Sequence, residues 1–238
     1  MNKKTLAAIL AHPDDESFPI GGTLARYAQE GVDVHLIVAT LGEAGIAGKS
    51  ATEAAAIRRT ELQRAGNELG VKRIHYLEFQ DGRLAHTRDA EGHARLEAAF
   101  RQITPDVVIT FGPDGISGHP DHVTVSRWAT AVFDKLSQEE TGPDRLYYIA
   151  PSEATQQGCG VAPPDEAVGR PVAFIDIGNY LEQKVRAAQQ HASQNPPFSG
   201  APEEEAKELA CHELFRLARP WKAANGADPE VDLFAALT

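Results

Sequence analysis

Cysteine is nearly absent: Cys159 and Cys211 are the only two in 238 residues. They form neither a CxxC pair nor the dense framework that staples small secreted domains, so a disulfide scaffold is excluded and redox chemistry is disfavoured. Such usage suits a reducing cytoplasm or plain core packing. Long apolar runs are missing as well. The start MNKKTLAAILAHPDD is basic, but its apolar stretch TLAAILA ends at His12 after seven residues, too short for a typical signal or membrane-spanning segment. Positive charge is also short, with a formal net charge of -11 and a pI near 5.3. Nucleic acid and anionic membranes are therefore disfavoured as partners, while a local basic pocket for a small anion is not excluded. No Gly/Ser-rich, Pro-rich or single-sign charged linker divides the chain, and no tandem repeat is apparent, so a single domain over 1–238 is expected.

What is present is the composition of a soluble globular protein, 42% hydrophobic and 24% charged. TLAAILA (5–11), VDVHLIVAT (32–40), RIHYLEF (73–79), DVVITFG (106–112), RLYYIAP (145–151) and VAFIDI (172–177) read as strands. Helical spacing falls between them, in GGTLARYAQEG (21–31), TEAAAIRRTELQRAGNELG (52–70), GHARLEAAFRQI (92–103) and HPDHVTVSRWATAVFDKL (119–136). This alternation predicts an α/β fold: a Rossmann-like, open, mostly parallel sheet with helices on both faces. The Gly- and Pro-rich loop 152–171 is expected to rim a pocket. Two helices are expected in 180–238, NYLEQKVRAAQQHASQ and PEEEAKELACHELFRLARP. Trp128, Phe133, Phe215 and Trp221 are open to core or interface placement, which leaves a homo-oligomer open.

Charge concentrates at two strand ends. AHPDDESFPIGG (11–22) follows the first strand, where an open parallel sheet binds its ligands. A phosphate site would need GxGxxG or a P-loop there; Gly21-Gly22 alone is a weak signal, and three carboxylates would repel a pyrophosphate. A cation reverses that sign. His12 and Asp15, three apart on a turn, could face one divalent ion, although an acidic turn before a helix is also an ordinary cap. A second cluster, GHPDH (118–122), follows the strand DVVITFG and supplies His119, Asp121 and His122.

AHPDDE followed by GG, with the later GHPDH, resembles the PIG-L/LmbE-like family of metal-dependent deacetylases. TLGEAG (40–45), IRRTEL leading to LG (57–70), FQDGRL (79–84) and HASQ (191–194) occur in that family's order. The resemblance implies zinc ligation by His12, Asp15 and His122, with Fe2+ or Co2+ as other candidates. It also implies Asp14 as general base, His119 as the group assisting the carbonyl oxygen or leaving group, and Asp121 as the residue orienting or charging a histidine. The expected reaction is removal of the N-acetyl group from an N-acetylglucosamine-like amino sugar. An amidase acting on another acyl amide, such as a thiol conjugate or antibiotic intermediate, and a non-catalytic metal- or sugar-binding protein are the alternatives.

In this scheme a metal acidifies water and polarises the acetyl carbonyl, and Asp14 accepts the water proton. Asp121 is expected to raise the His119 pKa and favour imidazolium, giving a bell-shaped pH profile. Glu43, Asp81 and His191 are candidates for the substrate pocket. Arg58 is either a substrate ligand or an exposed partner of Glu61. His35, His75, His86, His93 and His212 have no such company and are read as structural or surface residues. Glu16 has no role assignable from spacing.

Overall fold

The computed structural model describes residues 3–150, 173–196, 211–220, 230–235 and 237. Its frame is a seven-stranded sheet of β1 (Thr5–Leu10), β2 (Asp33–Thr40), β3 (Arg73–Phe79), β4 (Val107–Phe111), β5 (Arg145–Ala150), β6 (Ala173–Asp176) and β7 (His212–Arg219). The helices are α1 (Gly21–Gln29), α2 (Ala51–Glu68), α3 (Asp89–Ile103), the single turn α4 (Gly115–Gly118), α5 (Pro120–Leu136) and α6 (Leu181–Gln190). Every residue of β4 and β5 is buried, as expected of central strands covered on both faces.

The spatial strand order is β3-β2-β1-β4-β5-β7-β6. β1, β2, β3, β4 and β5 pair in parallel, whereas β7 runs antiparallel to both β5 and β6. Helices α1 and α2 pack with α6 on one side and α3 packs with α5 on the other, giving the expected α/β layers. From β1 the chain moves outward to β2 and β3, then returns to the opposite side of β1 as β4. The carboxyl ends of β1 and β4 therefore flank the point where strand order reverses, the usual ligand crevice of such sheets.

Trp128, Phe133 and Phe215 all lie in the core, while Trp221 and the expected rim loop 152–171 fall outside the described residues. The expected second C-terminal helix is corrected: over His212–Arg219 the chain is strand β7, not helix. Helical propensity yields here to pairing, because β7 fills the gap between β5 and β6 and buries side chains on both of its faces. Among the described residues, no helix is long and apolar enough to cross a membrane.

Candidate active site

β1 ends at Leu10 and the turn that follows carries His12, Asp14, Asp15 and Glu16. β4 ends at Phe111 and leads through α4 to His119 and the first turn of α5, where Pro120 occupies a position that needs no N–H. Because β1 and β4 are neighbours, His12 and His122 meet although 110 residues separate them.

Three donors converge there. His12 Nδ1 lies 3.2 Å from His122 Nε2 and 3.7 Å from Asp15 Oδ2, and His122 Nε2 lies 3.4 Å from Asp15 Oδ1. The far nitrogen of each ring is already committed. His122 Nδ1 faces the Gly115 carbonyl at 3.1 Å, and His12 Nε2 faces Asp81 Oδ1 at 3.1 Å and Asp121 Oδ2 at 3.3 Å. Those contacts require N–H on the far atoms, so only the two near nitrogens, 3.2 Å apart, are left to share a cation. A proton on His12 Nδ1 fills that role in the metal-free protein, and a divalent ion can replace it. Tetrahedral bonds of 2.0–2.1 Å place donors about 3.3–3.4 Å apart; the His12–His122 and His122–Asp15 Oδ1 separations of 3.2 and 3.4 Å lie close to that, so the His/Asp/His set can hold a divalent ion.

A second donor group, His12, Asp81 and Asp121, lies on the other edge of the His12 ring. Its oxygens are largely spent on backbone: Asp121 accepts from Gly82 N at 2.7 Å and Leu84 N at 3.1 Å, and Asp81 accepts from Ala44 N at 3.0 Å. These carboxylates orient and polarise His12. Burial alone would lower the His12 pKa, but the hydrogen bonds it donates to Asp121 and Asp81 and the charge of Asp15 push it up to about 10. The ring therefore sits where positive charge is strongly favoured.

Asp121 orients a histidine, but that histidine is His12 and not the expected neighbour His119. Its carboxylate turns to His12 and the Gly82–Leu84 backbone, and its link to His119 is through the main chain, Asp121 N donating to His119 Nδ1 at 3.2 Å. His119 caps α5 in this way, so its proton belongs on Nε2. Burial, followed by the charges of His12 and His122, lowers its pKa. The lowered pKa and the Nδ1 contact both favour a neutral ring with its N–H on Nε2 rather than the expected imidazolium. His119 is exposed at the mouth, with a nitrogen within 4.8 Å of donors on His12 and His122.

Asp14 adopts φ 110°, a left-handed conformation that costs a non-glycine residue roughly 1–3 kcal/mol and is characteristic of functional sites. The conformation is held from several directions: Asp14 N donates to Glu16 Oε2 at 3.0 Å, and Ser17 N and Phe18 N donate to Asp14 O. Burial, then the charge of Asp15, raises the Asp14 pKa to about 7 against the opposing pull of Arg58.

Arg58 is buried and is not a surface partner of Glu61, which instead accepts from Ser193 N and Oγ. Its guanidinium donates to Asp14 Oδ2 at 2.9 Å, to the Pro13 carbonyl and to Gly42 O at 3.2 Å. This contact explains the TLGEAG stretch: Gly42 has φ 65°, and a Cβ there would stand 2.2 Å from Arg58 Nη1. Glu43 faces the backbone of the neighbouring loop, accepting from Asp81 N at 2.8 Å. His191 is wholly buried and pairs with Glu16 Oε1 at 2.6 Å, on the turn that carries Asp14. Glu16 thus gains the role that spacing could not assign: it joins the end of α6 to the Asp14 amide. Phe111, which carried no sequence signal beyond its strand, stacks on His122 at 4.1 Å.

Taken together, an open α/β sheet with a two-histidine, one-carboxylate donor set at its switch point, beside a half-buried carboxylate held by a buried arginine, defines a metal-dependent hydrolase class. The PIG-L family, described as GlcNAc-PI de-N-acetylase, matches residues 7–133, and the chain belongs to that family. It is 31% identical to a 1D-myo-inositol 2-acetamido-2-deoxy-α-D-glucopyranoside deacetylase of Rhodococcus opacus, with 99% of each chain covered. Among solved structures it resembles the N,N'-diacetylchitobiose deacetylase of Pyrococcus horikoshii, with TM-score 0.68, 26% identity, and 91% of this chain and 84% of that one covered. A 4-carboxy-2-hydroxymuconate hydratase of Pseudomonas putida matches with TM-score 0.69 at 19% identity, covering 94% of this chain and 100% of that one. That last likeness shows the fold alone.

Proposed function

We propose that this chain is a zinc-dependent deacetylase that hydrolyses the acetamido group of an N-acetylglucosamine-type sugar, releasing acetate and a free amine. The observation that carries the proposal is the 3.2 Å approach of His12 Nδ1 and His122 Nε2, with Asp15 as third donor, directly beside the strained Asp14 turn. Relatives that deacetylate acetamido sugars support the substrate class. In this reading His12, Asp15 and His122 hold the ion, for which Fe2+ or Co2+ are alternatives to zinc. The bound ion supplies Lewis acidity, polarising the acetyl carbonyl and bringing the pKa of water down to about 7.

The chain's own residues do the rest. Asp14 accepts a proton from the attacking water as its oxygen bonds to the carbonyl carbon, and that proton goes to the nitrogen as the C–N bond breaks. Arg58 holds Asp14 Oδ2 in place, which leaves Oδ1 for the proton transfer. His119, fixed as a donor by its Nδ1 contact, offers Nε2–H to the developing oxyanion, a contribution typically worth about 3–4 kcal/mol. Asp121 and Asp81 are positioning residues that act through His12.

The test is a deacetylation assay of N-acetylglucosamine glycosides with zinc-reconstituted protein, scored by acetate and free amine. Turnover is expected in the wild type, and Asp14→Asn should lose about 10²–10⁴-fold in kcat while keeping its zinc. Near-wild-type turnover in a zinc-loaded Asp14→Asn protein would remove Asp14 from the mechanism.

A further inference from the structure

Two stretches lie outside the chemistry of the metal and Asp14: HASQ (191–194), and Glu61 at the end of IRRTEL. Their side chains nonetheless form the far part of a closed circuit of hydrogen bonds that passes through Asp14. Glu16 accepts from Asp14 N at 3.0 Å on Oε2, and on Oε1 it meets Ser17 Oγ at 2.5 Å and His191 Nε2 at 2.6 Å. Two residues beyond His191, Ser193 donates to both oxygens of Glu61, from N at 2.8 Å and from Oγ at 2.7 Å. Glu61 follows Arg58 by about one turn of α2. Arg58 closes the circuit on Asp14 Oδ2 at 2.9 Å.

Stability alone does not account for this arrangement. Glu16, Arg58, Glu61 and His191 are all buried, and His191 Nδ1 and Arg58 Nε have no hydrogen-bond partner. Apolar side chains of the same volume serve a core as well as or better than buried ion pairs and unpaired polar atoms. What the circuit encloses is Asp14, at φ 110°. A non-glycine residue leaves that region unless its surroundings hold it there, and its side chain swings with the backbone. Here the two halves of Asp14 are held separately, the amide by Glu16 and the carboxylate by Arg58, and the Glu61–Ser193 link ties one holder to the other. Glu16 and His191 are wholly buried, so neither reaches a substrate.

We propose that Glu16, His191, Ser193 and Glu61 are positioning residues: they lock the Asp14 turn in its strained conformation and so set kcat without touching metal or substrate. The kinetic consequence rests on the deacetylase reading, in which Asp14 is the general base. A base misplaced by about 1 Å loses on the order of 10²-fold in rate. The end of α6 is by this argument a working part of the site, although its chemistry is spent on another residue's geometry.

The experiment measures kcat, KM and zinc content on methyl N-acetylglucosaminide, with hydrogen exchange of the Asp14 amide read by NMR in the same proteins. His191→Leu removes the Nε2 donor and should lower kcat by about tenfold or more, with KM within about twofold of wild type and zinc retained. His191→Gln offers an N–H to Glu16 and should recover most of that loss. Ser193→Ala leaves the buried pair intact and should lower kcat by about threefold. In an Asp14→Asn background His191→Leu should cause no further loss of kcat, because its effect runs through Asp14. The Asp14 amide should exchange about tenfold or more faster in His191→Leu, while the amides of β1 keep their wild-type rates. Wild-type kcat in His191→Leu overturns the proposal. So does a loss of zinc that accounts for the loss of kcat, or an equal loss in the Asp14→Asn background. Where His191→Leu fails to fold, Ser193→Ala decides, and wild-type kcat with wild-type Asp14 exchange in that variant overturns the proposal. If wild type turns over no substrate while Asp14 exchange still depends on His191, the deacetylase reading falls and the clamp on Asp14 stands.

Discussion

At the scale of the residue, the tightest constraint is on His12, whose two ring nitrogens do different work. Nε2–H is held by Asp121 and Asp81, and Nδ1 is left for a cation. Asp121→Asn is therefore expected to weaken zinc affinity by about 10–100-fold without removing a ligand, measured by competition with a chromophoric chelator. The pH dependence has a definite sign. In metal-free protein the His12 pKa stands at about 10, above its ordinary 6.5, so the stability it contributes is complete below 6.5 and is lost as pH rises through about 10. Melting temperatures of chelator-treated protein should fall across that window, and His12→Gln should flatten the fall. Zinc uptake displaces the same proton, so affinity should drop by about tenfold for each unit the pH is lowered beneath that pKa. An affinity independent of pH between 6 and 8 would contradict this assignment.

At the scale of the element, α1 shows how a motif can be real and yet misleading. Gly21-Gly22 resembles a fragment of a phosphate loop, but a Cβ on Gly22 would stand 2.5 Å from Ile177 Cδ1, so this glycine serves helix packing. The amino end of α1 has no cap of its own. Glu213 of β7 supplies one from 190 residues away, accepting from Gly22 N at 3.0 Å and Thr23 N at 2.7 Å while pairing with buried Lys184. Removing it leaves an uncompensated buried ammonium and two orphaned amides. Glu213→Ala should cost about 3–5 kcal/mol in a denaturant titration, whereas the double variant with Lys184→Met should recover part of that loss.

At the scale of the whole molecule, every proposed ligand and catalytic group lies before residue 123, yet the sheet is not complete there. β7 pairs with β5 over Leu146–Ala150 and with β6 over Ala173–Asp176, and it brings Glu213 to α1. A chain truncated after Gln194 would leave β5, every residue of which is buried in the intact fold, as a bare edge. It should be recovered insoluble, or should fail to show a cooperative melt, despite retaining His12, Asp15 and His122. Recovery of a soluble truncated protein with native-like melting would show that β7 is dispensable.

The division between what the chain's order of residues determines and what the fold decides follows from the range of the interactions. Strand and helix periodicity is local, so the alternating pattern and the two acidic, histidine-bearing turns are legible directly, and a parallel α/β sheet puts such turns at one edge. The identity of partners is not local. Asp121 stands two residues from His119 but aims at His12, because the first turn of α5 points its carboxylate across the crevice. HELFRLAR looks helical alone and becomes a strand because β5 and β6 leave a gap for it. Glu16 finds His191 and Arg58 finds Asp14 only through packing. Residue types and their spacing thus determined which chemistry is present, and tertiary structure alone decided which groups meet and in what orientation. Hydrogen bonds and ion pairs depend on separations of a few ångströms that no distance along the chain encodes.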